Sequence, residues 1–480
     1  SKLHMLQYNQ SKKYYPKTFT EVPTAYVGLV GRLTYDYKSR YVGEFNFGYN
    51  GSENFAPGKN RYGLFPSASV GWIMSEEAFM KKQSLIDYLK WRISWGRVGS
   101  DTGSSTRFMY MPGVWTQNGT YSFGVSNPTG SQAYILGTPG NTDVSWETAD
   151  KQNYGIDLKM LNNRLSLSVD YFKEKRTGIL ISPNSTPSII ATGLPNLNIG
   201  KVDNHGYEIS LGWAHTLNNG IHYYANANMS FARNKIIYMD EVPNKYDYMN
   251  QTSGSTERPT NVYKYLRLYQ YSDFTKDANG ELVLNPSLPQ PSVKVYPGDA
   301  MYADLNGDNI VDGDDRMTTG YSERPEYVFG FNGGFSYKGF NFSMQWSGAM
   351  LQVEYRIPFT NACKRGLLDY FYKQGWTEEN QLGAKYPRAA ETSETWNSEN
   401  STLWLKDASY IRLKTLTIGY TFTNKRFLKA IGAKSLGLSL NGYNLLTVSP
   451  LDILDPESLG NNVGAYPLVK VYSVGVNLNF

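Results

Sequence analysis

Apolar and polar residues alternate without interruption over the last nine residues of the chain. The even-numbered positions are the apolar Tyr472, Val474, Val476, Leu478 and Phe480, and the odd-numbered positions between them are all small or polar. Because successive side chains of a β-strand point to opposite faces, this pattern predicts a strand with one apolar and one polar face. Such a strand fits the edge of a soluble sandwich, or the closing strand of an outer-membrane β-barrel between lipid and an aqueous lumen.

Recurrence of the alternation favours the barrel. Aromatic residues often stand at the ends of the apolar faces, as Phe45 and Tyr49 do, at the level where lipid headgroups meet water. We therefore predict an all-β, transmembrane antiparallel β-barrel. The alternation defines thirteen spanning strands, at 27–37, 41–49, 68–74, 89–95, about 150–158, 165–171, 207–213, 223–231, 327–337, 340–346, 410–422, 436–444 and 472–480.

The connections between these strands alternate between short and long. Short turns are predicted at 38–40, 160–164, 215–220 and 338–340, and two moderate connections, 75–88 and 423–435, have the character of small helices. Periplasmic turns of bacterial barrels are short and extracellular loops are long, so all long connections lie outside if Phe480 ends in the periplasm. The long connections are 50–67, 96–149, 172–206, 232–326, 347–409 and 445–471.

Two local irregularities are interpreted within this topology. The segment from Tyr263 to Tyr271 alternates, but a spanning strand there would reverse the order of all preceding loops, so we assign it to the long loop 232–326. Within 410–422 the apolar residues change parity, which predicts a β-bulge between Arg412 and Thr415.

Composition agrees with a barrel. Aromatic residues make up 15% of the chain although the mean hydropathy is −0.47, and no stretch approaches the roughly 20 apolar residues of a membrane helix. The net charge of +5 is spread along the sequence, so no nucleic-acid partner is expected. The single Cys363 excludes an internal disulfide.

The strand count predicts a larger barrel. Bacterial single-chain barrels have even strand numbers, and the chain starts at Ser1 without the signal peptide that export requires. We therefore expect residues 1–480 to be the carboxy-terminal part of a barrel of roughly 22 strands, a size whose lumen carries a plug. The plug domain is expected to be absent from this chain.

Several motifs together resemble the SusC-like TonB-dependent outer-membrane transporters of Bacteroidetes, the RagA/SusC-like family. They span nearly the whole sequence in family order. The stretches are RYVGEFNFGYNGSENF and RYGLFPSASVGWIMSEEAFM within 40–80, DYLKWRISWGRVGS at 87–100, VSWETADKQNYGIDLKMLNNRLSLSVDYFKEK at 144–175, NIGKVDNHGYEISL at 198–211, PGDAMYADLNGDNIVDGDDR at 297–316, PEYVFGFNGGFSYKGFNFSMQWSG at 325–348, and SYIRLKTLTIGYTF with LNGYNLLT within 409–480.

This resemblance implies active import of oligosaccharides or peptides, energised by TonB through the absent amino-terminal part. It also implies a SusD-like surface lipoprotein as a lid, and an amino-terminal half that completes the barrel and supplies the plug. A passive porin is the first alternative, and a barrel-embedded hydrolase is another. The sequence context of the four histidines does not suggest a catalytic triad, so we expect no enzyme.

One segment predicts a calcium site in its own right. DLNGDNIVDGDDR has the oxygen spacing of an EF-hand-type loop over 304–315, although Asn309 replaces the usual Gly and Asp315 the usual Glu. The resemblance includes the same acidic loop, and a solvated acidic turn is the alternative. Calcium would order the loop 232–326, which we expect to have little core of its own. The proposed ligands are Asp304, Asn306, Asp308, the Ile310 carbonyl, Asp312 and Asp315.

Aromatic residues in the long loops are the candidates for substrate contacts. Sugars commonly bind on aromatic faces, but loop aromatics also serve as packing residues. The candidates are Trp115, Tyr121, Trp376 and Trp396.

Overall fold

The computed structural model of the chain contains two compact units. The first comprises Ser1–Ser210 and Ala232–Val242, and the second comprises Leu211–Phe231 and Pro243–Phe480. Among the described residues, no helix has the length and hydrophobicity needed to cross a membrane. Cys363 lies outside the described residues, which are 2–5, 25–101, 107–111, 115–124, 129–187, 193–252, 254, 260–320, 322–350, 353–355, 369–389, 395–423, 426–451, 455–457 and 468–480.

Long strands that follow one another in chain order form the sheet of the first unit. The pairings from β1 to β6 are antiparallel, and the short strand Lys2–Met5 pairs antiparallel with β1. Both units share the last two of these strands. The strands are β1 (Tyr26–Tyr37), β2 (Tyr41–Ser52), β3 (Tyr62–Ile73), β4 (Ile86–Ser100), β5 (Glu147–Met160), β6 (Leu165–Ile181), β7 (Leu197–Thr216) and β8 (His222–Tyr238).

In the second unit the same order continues from β8 with antiparallel pairing. All thirteen predicted strands are confirmed, and most extend several residues farther at the ends that meet the long connections. Alternation fades there because lipid no longer requires apolar side chains, while the backbone ladder continues. The strands are β9 (Tyr327–Tyr337), β10 (Phe340–Met350), β11 (Tyr410–Thr423), β12 (Ser435–Val448) and β13 (Val471–Asn479).

Tight turns join the strands at the short connections, as predicted. Lys38 and Ser39 have φ values of 53° and 55°, and Leu161, Asn162 and Asn163 have 60°, 58° and 59°. Consecutive residues with positive φ match the twist of antiparallel strands, and Asn adopts this region more readily than most residues.

The predicted β-bulge is present in β11. Its pairing with β10 shifts between Leu413 and Thr415, where Lys414 is the extra residue. The pairing with β12 is irregular at the same place, where Asn444 and Leu445 lie opposite Lys414. The shift keeps Leu413 opposite Trp346 and Leu416 opposite Met344 on the same face. The bulge therefore explains why the apolar residues of this strand change from odd to even positions in the sequence.

One helix prediction is wrong. The connection 75–88 contains only the 3-10 turns Met74–Glu76 and Met80–Lys82. The Glu77 carboxylate accepts hydrogen bonds from Tyr41 and Trp72 at 2.7 and 3.2 Å, and these tertiary contacts favour an irregular connection over a helix. In the other moderate connection the predicted helix is present as Arg426–Ala430.

Short elements fill the long connections. In the first unit the hairpin strands Trp115–Phe123 and Thr129–Leu136 pair, and Lys59–Arg61 forms a 3-10 turn. The segment from Tyr263 to Tyr271 stays outside the main sheet, as predicted. The second unit adds Val262–Tyr263, Tyr265–Leu268, Phe274–Lys276, Leu282–Leu284, Gln290–Pro291, Ala300–Tyr302, Ile310–Val311, Arg316–Met317, Val353–Tyr355 and Leu405–Asp407, the 3-10 turns Asp247–Met249, Tyr271–Asp273, Gly313–Asp315 and Trp396–Ser398, and the helix Asp369–Gln374.

The expectation that the loop 232–326 has little core of its own is wrong. Residues of this loop and of 369–404 form a buried cluster in the second unit, which we call the loop platform. The sequence reasoning missed it because its apolar residues come from two segments far apart in the chain. The buried members are Tyr263, Tyr269, Phe274, Leu284, Val295, Ala300, Met301, Tyr302, Val311, Phe371, Tyr386, Trp396, Leu403 and Trp404.

Candidate functional site

The strands of the first unit have two chemically different faces. Trp95 of β4 and Tyr154 and Tyr171 of the neighbouring strands lie on one face, and each is 39 to 45% exposed in this chain. Ser94 of β4 aligns with Asn153 and then with Phe172 on the other face. Large exposed apolar side chains on one face and polar side chains on the other match lipid and an aqueous lumen respectively.

A groove of about 730 Å³ is lined mainly by residues of the polar face, and Trp95 of the other face also borders it. Charged groups of both signs line it: the Lys151 ammonium lies 3.4 Å from Glu174, and Glu44 accepts a hydrogen bond at 2.5 Å from Arg32 beside the groove. The groove therefore offers charges, amides and aromatic edges to a solute. Its lining residues are Glu44, Asn46, Phe65, Ser67, Ala68, Ser69, Ser94, Trp95, Gly96, Arg97, Val98, Lys151, Gln152, Asn153, Phe172, Lys173, Glu174 and Glu208.

A second charged group on this face was not singled out from the sequence. The Arg92 guanidinium donates to Asp157 at 2.9 Å and to Asp170 at 2.5 and 2.6 Å. All three residues stand at polar positions within predicted spanning strands. Ionisable residues at membrane depth mark water-filled pathways, so this position was the signal that could have identified them.

A buried polar contact joins the two segments of the loop platform. Asp299 is 2% exposed and accepts hydrogen bonds at 2.8 Å from the Tyr296 backbone N–H and from Asn397. The Arg388 Nε lies 2.8 Å from the same carboxylate. Burial raises the pKa of Asp299, and the charge of Arg388 opposes that rise.

The predicted calcium loop folds around its own carboxylates. Asp304 accepts hydrogen bonds from the backbone N–H groups of Gly307 and Asn309 at 2.6 and 2.8 Å. Asn309 adopts a φ of 66°, as its place at the usual glycine position requires. Asp315 is fully buried, and its oxygens accept from the N–H groups of Leu305 and Asp312 at 2.7 and 2.9 Å.

The residue set has the chemistry for a hard cation. Carboxylate, amide and carbonyl oxygens are the ligands that Ca²⁺ takes. Among the described residues no Lys, Arg or His side chain pairs with the buried Asp315, and buried carboxylates are usually paired or coordinate metals. In the same part of the chain, no three or more His, Cys, Asp or Glu side chains come together in the geometry of a metal site. The calcium site stays a prediction.

The four aromatic candidates for substrate binding occupy different environments. Trp396 packs in the loop platform at 5.0 Å from the Tyr302 ring, and Trp376 is also only 8% exposed, so their burial favours the packing alternative. Tyr121 is 63% exposed on the hairpin of the first unit. Trp115 begins the same hairpin, and its side chain lies outside the described part of the structure. Substrate binding by these residues stays a prediction.

The last long loop is attached to β11 by a buried ionic cluster that sequence reasoning missed. Arg412, with a side chain 2% exposed, donates to both oxygens of Asp455 at 2.7 and 2.8 Å and to Glu457 at 2.8 Å. The bulge residue Lys414 donates to Glu457 at 2.6 Å, and Thr447 accepts from Arg412 at 2.8 Å. We call these residues the Arg412 cluster. Four charged residues within DPE and YIRLK were the only signal.

Antiparallel strands with one apolar, aromatic-rich face and one polar face define an outer-membrane β-barrel. The chain belongs to the TonB-dependent receptor-like β-barrel family. The family described as "TonB dependent receptor-like, beta-barrel" matches residues 8–445 of this chain. The resemblance drawn from the motifs and the predicted outer-membrane localisation are therefore confirmed.

Relatives support this assignment. The chain is 27% identical over 486 residues to TonB-dependent receptor P3 of Formosa agariphila, covering 95% of this chain and 46% of that protein. It is 24% identical over 475 residues to TonB-dependent receptor SusC of Bacteroides thetaiotaomicron, covering 95% of this chain and 44% of SusC. The chain thus spans about half the length of the relatives it matches.

Solved structures share the fold. The RagAB peptide importer in its closed-closed state gives a TM-score of 0.70 at 24% identity, covering 96% of this chain and 48% of that one. Its open-open state gives 0.71 at 22% identity, covering 96% and 47%.

Proposed function

We propose that this chain forms barrel wall and outer loops of a TonB-dependent nutrient importer of the outer membrane. The observation that carries the proposal is the family match over residues 8–445, with names of TonB-dependent receptors on the relatives. Because the chain spans about half the length of those relatives, we propose that a preceding segment completes the barrel and supplies the plug and the TonB contact.

Uptake by the native protein tests this proposal. Cells that carry the native gene should accumulate its labelled cargo, and deletion of TonB or collapse of the proton gradient should abolish accumulation. A passive porin would keep accumulating cargo down its gradient and would conduct ions steadily in a planar bilayer. Hydrolysis of a lipid or peptide by the purified barrel would support the hydrolase alternative instead.

The cargo class we propose is oligosaccharides, with peptides as the second candidate. The groove supports either, since its amides, hydroxyls and Phe rings suit a glycan and its paired charges suit a peptide. Lys151→Gln with Glu174→Gln should lower the uptake rate several-fold. Lys159→Gln, near the turn end of the same strand and outside the groove lining, is the matched control and should leave uptake unchanged. Unchanged uptake in the double variant would argue against the groove as the cargo path.

For a partner we propose a SusD-like surface lipoprotein that acts as a lid on the loop platform. The platform is a packed body with exposed apolar residues, including Leu382 at 94% and Tyr372 at 70% exposure. Leu382→Glu should reduce co-purification of the lipoprotein. Leu217→Glu, in a short turn of the main sheet, is the matched control and should retain it. Equal retention by both variants would exclude Leu382 from the contact.

For the loop 304–315 we propose a structural Ca²⁺ ion with an affinity of roughly 10⁻⁴ to 10⁻³ M, as extracellular modules have. The support is the oxygen spacing and the buried Asp315. Asp308→Ala should abolish the protection from proteolysis that calcium gives to the loop. Asp314→Asn is the matched control, since Asp314 pairs with Lys245 at 2.7 Å and occupies no ligand position. Proteolysis that ignores calcium in the unsubstituted protein would contradict the proposal.

A further inference from the structure

The strands of the second unit carry almost no charge. Over Leu211–Phe231 and in β9, β10, β12 and β13 the sequence contains no Asp, Glu, Lys or Arg. In β11 only Arg412 and Lys414 are charged, and both pair with Glu457 of the last long loop. By contrast, each strand from β4 to β7 contains both acidic and basic residues. The barrel wall of the second unit therefore has a chemistry of its own.

Strand pairing assigns two faces to this part of the sheet. Phe331, Trp346 and Leu413 align on one face. Large apolar side chains on that face match lipid, so the other face meets the lumen. Asn226 and Asn332 align on the lumen face.

Aligned residues form three successive rows across the lumen face, which we call the neutral wall. Its members are amides, hydroxyls, glycines and Tyr rings, with Val471 at one edge and His222 at the end beside the periplasmic turn. The first row is Asn226, Asn332, Gln345, Thr415, Tyr443 and Val471, the second is Tyr224, Gly334, Ser343, Thr417, Asn441 and Ser473, and the third is His222, Ser336, Asn341, Gly419, Ser439 and Gly475.

The polar groups of the neutral wall have hydrogen-bonding capacity to spare. Asn226, Asn332 and Gln345 are exposed in this chain, and Asn226 donates to Asn332 at 2.9 Å. In the second row, Thr417 donates to Asn441 at 3.0 Å. A side-chain amide has two donor hydrogens and an oxygen with two lone pairs, so one such bond leaves both a donor and an acceptor. The wall therefore offers donors and acceptors side by side.

An uncharged wall discriminates between solutes by their charge. A sugar hydroxyl both donates and accepts, so it finds partners among amides and hydroxyls. Carboxylates, sulfates and the ionised ends of peptides lose water there without meeting an opposite charge, which is costly. Neutral hydrogen bonds are also weaker than charge-assisted ones. Movement through a pore requires several sites that each release the solute readily, and the neutral rows meet that requirement.

We propose that the neutral wall is the path along which the transporter moves uncharged oligosaccharides. This inference rests on the importer function proposed above, and it restricts the cargo to oligosaccharides without ionised groups. The rows repeat every second residue, about 7 Å apart along the strands, so the cargo meets similar groups at each step. Tyr224 and Tyr443 add ring faces beside the amides.

Competitive uptake by cells that carry the native gene tests the cargo class. The probes are a mixture of labelled neutral, uronate-containing and sulfated oligosaccharides of similar length, together with zwitterionic peptides. TonB-dependent accumulation should be confined to neutral oligosaccharides. TonB-dependent accumulation of the charged probes, or of no neutral probe, would overturn the path proposal and leave the importer function standing. Accumulation of neutral probes without TonB would contradict the importer function, while the selection for uncharged cargo would stand.

Variants of the first row test the wall itself. Asn332→Ala with Gln345→Ala removes two neutral hydrogen-bonding groups, and the maximal uptake rate of an accumulated neutral oligosaccharide should fall about tenfold. The half-saturating concentration should stay unchanged, because the outer loops capture cargo before it reaches the wall. Asn332→Gln with Gln345→Asn keeps both amides in the row and is the matched control, with an uptake rate close to that of the native protein.

Heat-modifiable migration in gels verifies that each variant barrel is folded. If the alanine pair impairs assembly, Ser343→Ala in the second row is the milder change, and it should lower the maximal rate several-fold. An unchanged rate in a folded alanine variant, or an equal loss in the amide-exchange control, would overturn the proposal.

Discussion

At the scale of single residues, buried charges are placed where they join separate segments of chain. Arg412 joins β11 to the segment that contains Asp455 and Glu457, and Asp299 joins two parts of the loop platform. A buried charge that keeps all its partners is tolerated, whereas one that loses a partner is costly. These positions are therefore expected to be the most sensitive to substitution.

Arg412→Ala should destabilise the attachment of the last long loop. The substitution leaves Asp455 and Glu457 without their shared cation, and breaking a buried pair costs about 3–5 kcal/mol. Limited proteolysis of the native protein should show faster cleavage within 449–470, and urea unfolding should show lower stability. Lys373→Ala removes an exposed pair with Asp369 and should change stability by less than about 0.5 kcal/mol. Equal effects of the two substitutions would contradict the assignment.

The ion pair between Arg267 and Asp273 gives the loop platform a dependence on pH. Burial acts to raise the pKa of Asp273, but hydrogen bonds from Arg267 at 2.6 and 2.8 Å outweigh it, and the pKa lies below its ordinary value. A lowered folded-state pKa contributes stability above about pH 4, and that contribution disappears as the pH falls through the folded-state value.

Proteolysis of the platform as a function of pH measures this contribution. The difference in protection between the native protein and Asp273→Asn should be largest above about pH 4 and should shrink on acidification. A difference that stays constant across this range would show that Asp273 does not act through its charge. Asp277→Asn, whose carboxylate lies in an exposed turn and only accepts backbone hydrogen bonds, is the control.

At the scale of elements, the bulge in β11 keeps the apolar side chains before and after it on one face of the sheet, although their sequence positions change from odd to even. Lys414 is the unpaired residue, so Leu413 and Leu416 can face the same side although they are three positions apart. The bulge also directs Lys414 to Glu457 in the Arg412 cluster. A bulge that re-aims one side chain is a common use of this feature.

Deletion of Lys414 should be tolerated by the sheet. Without the extra residue β11 pairs regularly with β10, and every apolar side chain of β11 keeps its face. Deletion of Ser343 from β10, which has no bulge of its own, should move half of that strand's apolar residues to the polar face. Heat-modifiable migration in gels should persist for the first variant and be lost for the second. Loss in both would contradict the reading of Lys414 as the extra residue.

At the scale of the whole molecule, the terminal strand of the sheet determines whether this chain can fold in a membrane without further strands. In the described chain β13 hydrogen-bonds to β12 alone, so one edge of β13 has unpaired backbone groups. In lipid each unsatisfied group costs several kcal/mol because no water is present. Proteins are stable by only about 5–15 kcal/mol, so such an edge requires a partner strand.

Residues 1–480 expressed alone with a signal peptide should therefore fail to insert as a barrel. Degraded or aggregated material is expected, and co-expression of the preceding segment of the native gene should rescue a heat-modifiable barrel. The full native polypeptide is the positive control. Recovery of an inserted, folded monomer from residues 1–480 alone would contradict the need for further strands.

The sequence determined what depends on repeating local chemistry. Alternation at Tyr472–Phe480 and in the other strands arises because every second side chain meets lipid, so the strands and the bulge beside Lys414 were predictable. Positive φ at Asn309 was predictable because one loop position requires it. The family was also evident from motifs along the chain.

Only the tertiary structure decided the features that join residues distant in sequence. The loop platform combines Tyr302 with Trp396 and Trp404, and the Arg412 cluster combines a strand with a later loop. The connection that contains Glu77 is irregular where a helix was predicted, because Glu77 contacts Tyr41, which lies 36 residues away. Sequence periodicity indicates whether a side chain faces lipid or water. The contacts named here depend on how separate loops pack against each other, which no local sequence pattern determines.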